Sequence, residues 1–306
     1  MAESKFSEDT ISKVGIILND QSTGMAERFR ALFTLRNIMG ATAIKEISRC
    51  FTDPSALLKH ECAYCLGQIQ DTSAVPILIN VLEDLSQEAI VRHEAAEALG
   101  ALSSTTTHDI VIPVLQKYTT DAAGMVADTC CIALDLIEWK QVYNTELLMS
   151  PFNSFDPAPP FEQGNLSCWS NDYLNSSLSL FHRYRAMFSL RNINSTEAVE
   201  VLLKGFMDSN PLFKHEVAFV LGQLEHPAAV ATLKSKLEDV TENHVVRHEC
   251  ADALGSIGHE EYREVIQRFI SDPEPVVSES CIVAMDMFSY KTSDEFQYAD
   301  GVSRVE

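Results

Sequence analysis

Four histidine–glutamate pairs stand at one repeated position of the 306-residue chain: His60-Glu61, His93-Glu94, His215-Glu216 and His248-Glu249. Nine histidines placed at random would meet a following glutamate less than once, so the set needs a cause. Neighbouring residues on a helix project about 100° apart, so the two side chains reach one groove but cannot grip an ion from one direction. One pair therefore cannot complete a site. Equivalent helices of adjacent repeats stand about 8–10 Å apart, close enough for the long side chains of two copies to converge. Four imidazoles and four carboxylates with no thiolate suit non-haem iron or manganese, whereas structural zinc usually recruits cysteine. Two divalent ions would use eight such ligands and balance four carboxylates. A plainer account makes the pair a packing feature, with Glu favoured near a helix start and His tucked under the next repeat. Against it, residues 28–37 and 127–135 keep the apolar pattern without the dipeptide. A fifth pair, His259-Glu260, follows Gly258 and aligns with Ser104 and Thr105, which reads as a surface turn.

Other residues carry weaker signals. Glu97 and Asp252 lie four positions after His93 and His248, one turn along the same face. They can hold an imidazole from behind, receive a cationic substrate, or simply be solvated. The equivalents after His60 and His215 are Tyr64 and Phe219. In Leu66-Gly67-Gln68 and Leu221-Gly222-Gln223 the glycines let a substrate approach the backbone, though a helix C-cap explains Gly67 and Gly222 equally well and leaves Gln68 and Gln223 as lining. Cys62 and Cys65 have CxxC spacing beside His60, yet Val217 and Val220 replace them in the second half, so packing thiols are expected. No GxGxxG, P-loop or GxSxG motif is present.

The elements that position the pairs follow from self-similarity. The stretch around His60 recurs 33 residues on around His93, and that around His215 recurs 33 residues on around His248. A longer offset of 155 residues relates the halves, matching Arg28-Phe29-Arg30-Ala31-Leu32-Phe33-Thr34-Leu35-Arg36-Asn37 to the stretch from Arg183 to Asn192; it shortens to 151 by Cys130 and Cys281. The chain is an internal duplication. Apolar positions three apart (Ala63 and Leu66, Ala96 and Leu99, Ala218 and Leu221, Ala251 and Leu254) fit one helix face, and prolines near the expected starts punctuate helical hairpins. Stacked hairpins of this length make an all-α solenoid. The expected division is an N-terminal arm of four repeats over 1–143, a linker over 144–175 rich in Pro, Asn and Ser, a C-terminal arm over 176–290, and a flexible tail over 291–306.

Composition limits the partners. The formal charge is −21, which repels phosphate and argues against nucleic acid or an anionic membrane, while favouring a basic partner. No apolar run approaches the roughly 20 residues of a membrane span, and Met1–Lys5 lacks a signal layout. Eight cysteines without framework spacing read as reduced core thiols in a reducing compartment.

At the four His-Glu pairs the sequence resembles the deoxyhypusine hydroxylase family, over nearly the whole chain. The resemblance implies a fold of two pseudo-symmetric arms of HEAT-like hairpins and a di-iron monooxygenase. It implies two Fe(2+) per chain, held by His60, Glu61, His93, Glu94, His215, Glu216, His248 and Glu249. It implies as substrate the deoxyhypusine form of translation initiation factor 5A, hydroxylated to hypusine with dioxygen and an external reductant. A cytoplasmic monomer, present in the nucleus as well, is the matching expectation. The competing readings are a HEAT-repeat scaffold for a basic protein, its metal purely structural, and a lyase for a bilin chromophore.

Overall fold

A computed structural model describes residues 6–145 and 149–305; Met1–Lys5, 146–148 and Glu306 lie outside the described residues. Among the described residues there are helices and no strand. The chain forms two compact units, Met1–Thr145 with Glu295–Glu306, and Glu146–Asp294.

In the first unit the hairpins are α1 (Glu8–Asn19) with α2 (Met25–Ile38), α3 (Gly40–Ser48) with α4 (Ala56–Ile69), α5 (Val75–Glu83) with α6 (Ala89–Leu102), and α7 (His108–Tyr118) with α8 (Gly124–Tyr143). The second members stack in order, α2 on α4, α4 on α6 and α6 on α8. The second unit repeats the plan with α9 (Leu166–Leu174), α10 (Leu180–Ile193), α11 (Thr196–Leu203), α12 (Pro211–Leu224), α13 (Val230–Glu238), α14 (His244–Ile257), α15 (Arg263–Phe269) and α16 (Pro275–Lys291). There α10, α12, α14 and α16 stack. Each unit is thus an α-solenoid arm.

Local chemistry starts the stacked helices. The Ser55 hydroxyl accepts from Leu58 N at 3.0 Å, the Asn210 side chain from Phe213 N at 3.2 Å and Asn243 from Val245 N at 2.9 Å. Counting from each cap gives a common register. The fifth residue is Phe29, His60, His93 and Asp128 in the first unit, and Tyr184, His215, His248 and Glu279 in the second. The histidines thus occupy a position that the outer repeats give to aromatic or acidic side chains.

One residue earlier, a basic side chain ties consecutive hairpins together. Arg28, Arg92, Arg183 and Arg247 each donate through Nε to a carbonyl ten residues back, those of Leu18, Leu82, Tyr173 and Leu237. Each also pairs with an acid in the turn between the two helices of the following hairpin: Asp53, Asp121, Asp208 and Asp272. These arginines are buried, so each pair substitutes for lost hydration. Arg92 holds the Asp121 carboxyl below its usual range, against a smaller opposing effect of burial. A lowered folded-state pKa stabilises the fold fully above the unfolded value of about 3.9, and this stability is lost as pH falls through the folded value. Asp121→Asn should therefore cost about 1.5–3 kcal/mol at pH 7, the scale of a hydrogen bond to a charged group. Its denaturation curve should approach that of the wild type below about pH 4. A deficit that stays constant into acid would show that the ionised carboxylate does not supply the stability.

Three expectations are corrected. The glycines of the Leu-Gly pairs are not C-caps: Gly67, Gly100, Gly222 and Gly255 lie inside helices, and a Cβ on them would meet Ala98, Ala133, Ala253 and Ala284 at 2.7–3.1 Å. Their absent side chain lets successive stacked helices approach closely, while the left-handed cap falls on Gln70, Glu225 and Gly258. The expected linker over 144–175 contains α9, the first helix of the second unit's first hairpin, whose only buried residue is Tyr173 and which therefore shows no apolar stripe. The Tyr173 hydroxyl donates to Leu202 O at 2.7 Å.

The expected flexible tail over 291–306 packs, from Glu295 onward, on α2. Arg30 donates to Glu295 at 2.6 Å, the Tyr298 ring lies 4.7 Å from the Arg30 guanidinium, and Gly301 N donates to Thr34 Oγ1 at 2.9 Å. The duplicated position repeats the device within the second unit: Phe161 N donates to Ser189 Oγ at 2.8 Å, and Arg185 lies 4.3 Å from the Phe161 ring. Both segments lack a helical apolar stripe and read as loose in sequence, yet each is held by the first stacked helix of its unit.

Candidate metal centre

Stacking α4 on α6 brings His60, His93 and Glu94 together; stacking α12 on α14 does the same for His215, His248 and Glu249. In each group one ligand atom per residue lies within 4.8 Å of the others, and all six residues are buried. The two groups are close copies. The imidazole centroids are 5.5 Å apart in the first and 5.3 Å in the second. Glu94 Oε2 lies 3.3 Å from His60 Nε2, and Glu249 Oε2 lies 3.2 Å from His215 Nε2. The fit to a metal follows from these donors. Ligands on opposite sides of one ion at about 2.0–2.2 Å stand about 4.0–4.4 Å apart, so a few tenths of an ångström of side-chain movement closes the group around an ion. A buried carboxylate with only imidazoles beside it in its group also calls for a cation. No thiol belongs to either group.

The eight expected ligands therefore divide. Glu61 and Glu216 lie outside the two groups. Glu61 is half-buried, with Oε2 4.0 Å from His60 Nδ1, on the side of the ring away from the nitrogen that faces Glu94. Each group draws its three residues from two consecutive hairpins of one unit. Asp252 is half-buried with Oδ2 3.4 Å from His248 Nδ1, which places it behind that imidazole. Glu97 is half-buried at the matching position. Gln68 is half-buried next to the packing glycine Gly67. Gln223, next to Gly222, is engaged elsewhere, accepting from Arg191 at 2.8 Å and donating to Ser154 at 3.0 Å.

Curated relatives bear on the identity of these groups. Deoxyhypusine hydroxylase of Xenopus laevis is 51% identical over 305 residues, covering 100% of this chain and 99% of the relative. The Drosophila melanogaster enzyme of that name is 49% identical over 302 residues, covering 98% of each. The chain belongs to the deoxyhypusine hydroxylase family. The solved structure of human deoxyhypusine hydroxylase in complex with glycerol superposes with a TM-score of 0.88 at 47% identity, covering 92% of this chain and 97% of that one. The repeats match family models as well, HEAT repeats over 28–135 and the PBS lyase HEAT-like repeat over 183–206, 213–239 and 246–272.

Two residues beside the clusters of this deoxyhypusine hydroxylase relative escape a search for His-Glu pairs. Thr129 Oγ1 lies 3.5 Å from His93 Nδ1, and Ser280 Oγ lies 3.4 Å from His248 Nδ1. They are matched by the 151-residue offset, which was the available signal. The CxxC pair plays no such part. Burial pushes the Cys62 and Cys65 thiols well up, as it does those of Cys250 and Cys281, and raises Cys130 to about 12. All eight cysteines are free thiols, and the buried ones are packing groups.

Proposed function

We propose that this protein hydroxylates the deoxyhypusine side chain of translation initiation factor 5A, with one Fe(2+) held by His60, His93 and Glu94 and another by His215, His248 and Glu249. The observation that carries the reading is the donor set. Two imidazoles and one carboxylate leave coordination positions open, the pattern of non-haem Fe(II) oxygenases. Iron, when bound, supplies the activation of dioxygen. The reaction inserts one oxygen atom into a C–H bond of the aminobutyl chain and reduces the other to water, so two electrons and two protons come from an external reductant.

The chain's own residues bind and orient. The substrate is a long cation, and a −21 protein attracts it before contact. Glu61 and Glu216, one residue after a ligand histidine, and Glu97 and Asp252, four residues after one, add four further carboxylates, of which Glu61 and Asp252 also back the imidazoles of His60 and His248. Burial of the clusters keeps bulk water from the reacting carbon. The buried protonated thiols suit a reducing compartment, the cytoplasm together with the nucleus. No described helix is long and apolar enough to cross a membrane.

The test loads the protein anaerobically with Fe(2+), adds the deoxyhypusine form of the factor, a reductant and isotopically labelled dioxygen, and follows the factor by mass spectrometry. A gain of one labelled oxygen atom, with about two irons per chain, is expected. No gain with a fully loaded protein would overturn the activity, and saturation at one iron per chain would overturn the two-cluster assignment.

A further inference from the structure

We infer that the hydroxyls of Thr129 and Ser280 are positioning groups that fix the tautomer of the ligand histidines His93 and His248, an inference that rests on the metal reading above.

The placement comes from the common helical register. Six residues after the cap stand Glu61, Glu94 and Thr129 in the first unit, and Glu216, Glu249 and Ser280 in the second. Each later member of the series reaches back to the histidine of the preceding hairpin. Glu94 and Glu249 meet Nε2 of His60 and His215. Thr129 and Ser280 instead meet Nδ1 of His93 and His248. The last hairpin of each unit thus lacks the His-Glu pair yet still contributes to the cluster before it.

The direction of each hydrogen bond follows from where the hydroxyl proton goes. Thr129 Oγ1 donates to Met125 O at 2.8 Å, which turns its lone pairs toward His93. Ser280 Oγ donates to Asp252 Oδ2 at 3.3 Å, with the same consequence for His248. Each hydroxyl is therefore an acceptor for Nδ1–H. A neutral imidazole carries one proton, so holding it on Nδ1 leaves the Nε2 lone pair for the metal. Thr129 is 1% and Ser280 0% exposed, so water does not compete for either contact. In the second cluster Asp252 Oδ2 also lies 3.4 Å from His248 Nδ1, adding a carboxylate acceptor. Outer partners of this kind typically contribute about 10–100-fold in metal affinity.

The experiment uses the full chain in two forms. In metal-free, nitrogen-15-labelled protein at neutral pH, His93 and His248 should show a protonated Nδ1 and a bare Nε2. Thr129→Val keeps the side-chain shape and removes the acceptor, so the His93 signals should move toward a mixture of tautomers. In anaerobic competition against a chelator, the same variant should bind one Fe(2+) about 10–100-fold more weakly than the wild type. Thr129→Ser should restore both readouts, which a purely packing role for the threonine methyl would not predict. Ser280→Ala should act on His248 in the same direction, with Asp252 left as the remaining acceptor. Unchanged tautomers and affinity in Thr129→Val would overturn the inference, as would failure of Thr129→Ser to restore them. Should Thr129→Val unfold, Thr129→Ser and Ser280→Ala decide by the same two readouts. If the wild type takes up no iron, the metal reading falls, and the tautomers alone then decide whether the hydroxyls orient these rings.

Discussion

Replacing His93 with alanine should lower the bound metal from about two ions per chain to about one and cut hypusine formation below about one-thousandth of the wild-type rate, because oxygen activation is lost with the metal. His93 sits at the middle of its cluster: its ring is 5.5 Å from that of His60, Glu94 follows it in α6, and Thr129 stands behind it. Removing it leaves one imidazole and one carboxylate, too few to hold an ion against water. The helices should persist, since α6 is anchored on its neighbours by Val91, Ala95, Ala98 and Leu99, all buried, and by Arg92. Circular dichroism, metal content and product mass are measured on one preparation. His259→Ala provides the control, since that exposed His-Glu pair lies outside both clusters and should leave metal and rate unchanged. Wild-type metal and turnover in His93→Ala would remove His93 from the site.

What could be read in advance is explained by the kind of signal each feature leaves. The six clustered residues were visible because two different chemistries recur together at fixed offsets, which packing alone does not impose. Their division from Glu61 and Glu216 was not visible. Both glutamates of a hairpin pair occupy the same register, and only the stacking direction makes Glu94 reach back to His60 while Glu61 has no earlier histidine to meet. Thr129 and Ser280 were hidden because a repeat without His-Glu looks like a cap. The packing glycines were misread from local grammar, although their partners Ala98, Ala133, Ala253 and Ala284 each stand about one repeat further on. The held segments were illegible for a more basic reason: Arg30 meets its acid 265 residues away, and no local pattern encodes a contact of that range.

A second such contact carries the largest stability effect. Asp156→Ala should destabilise the second unit by about 3–5 kcal/mol, the range for leaving a buried charge without its partner. Arg191, on α10, is fully buried and donates to Asp156 through both terminal nitrogens, at 3.0 and 2.6 Å. Asp156 is buried too and accepts from Ser154 at 2.6 Å; Gln223 of α12 accepts from Arg191 and donates to Ser154. The Phe152 and Phe188 rings each lie 4.7 Å from the guanidinium, shielding it from water. Removing the carboxylate leaves that cation in a site water does not reach, but among the described residues the neutral acceptors Gln223 and Asn192 keep part of its hydrogen bonding. The cost should therefore lie nearer the lower end of the range. Asp156→Asn keeps one acceptor oxygen and should lose less. Hydrogen exchange resolves the effect by region: amides of α10 should open faster by about 3 kcal/mol, roughly two orders of magnitude, while α4 and α6 keep wild-type protection. Residues 149–161 should become a site of protease nicking in the same variant. Protection of α10 that changes by less than about tenfold would mean that the aromatic rings and Gln223, rather than the ion pair, hold this segment to the second unit.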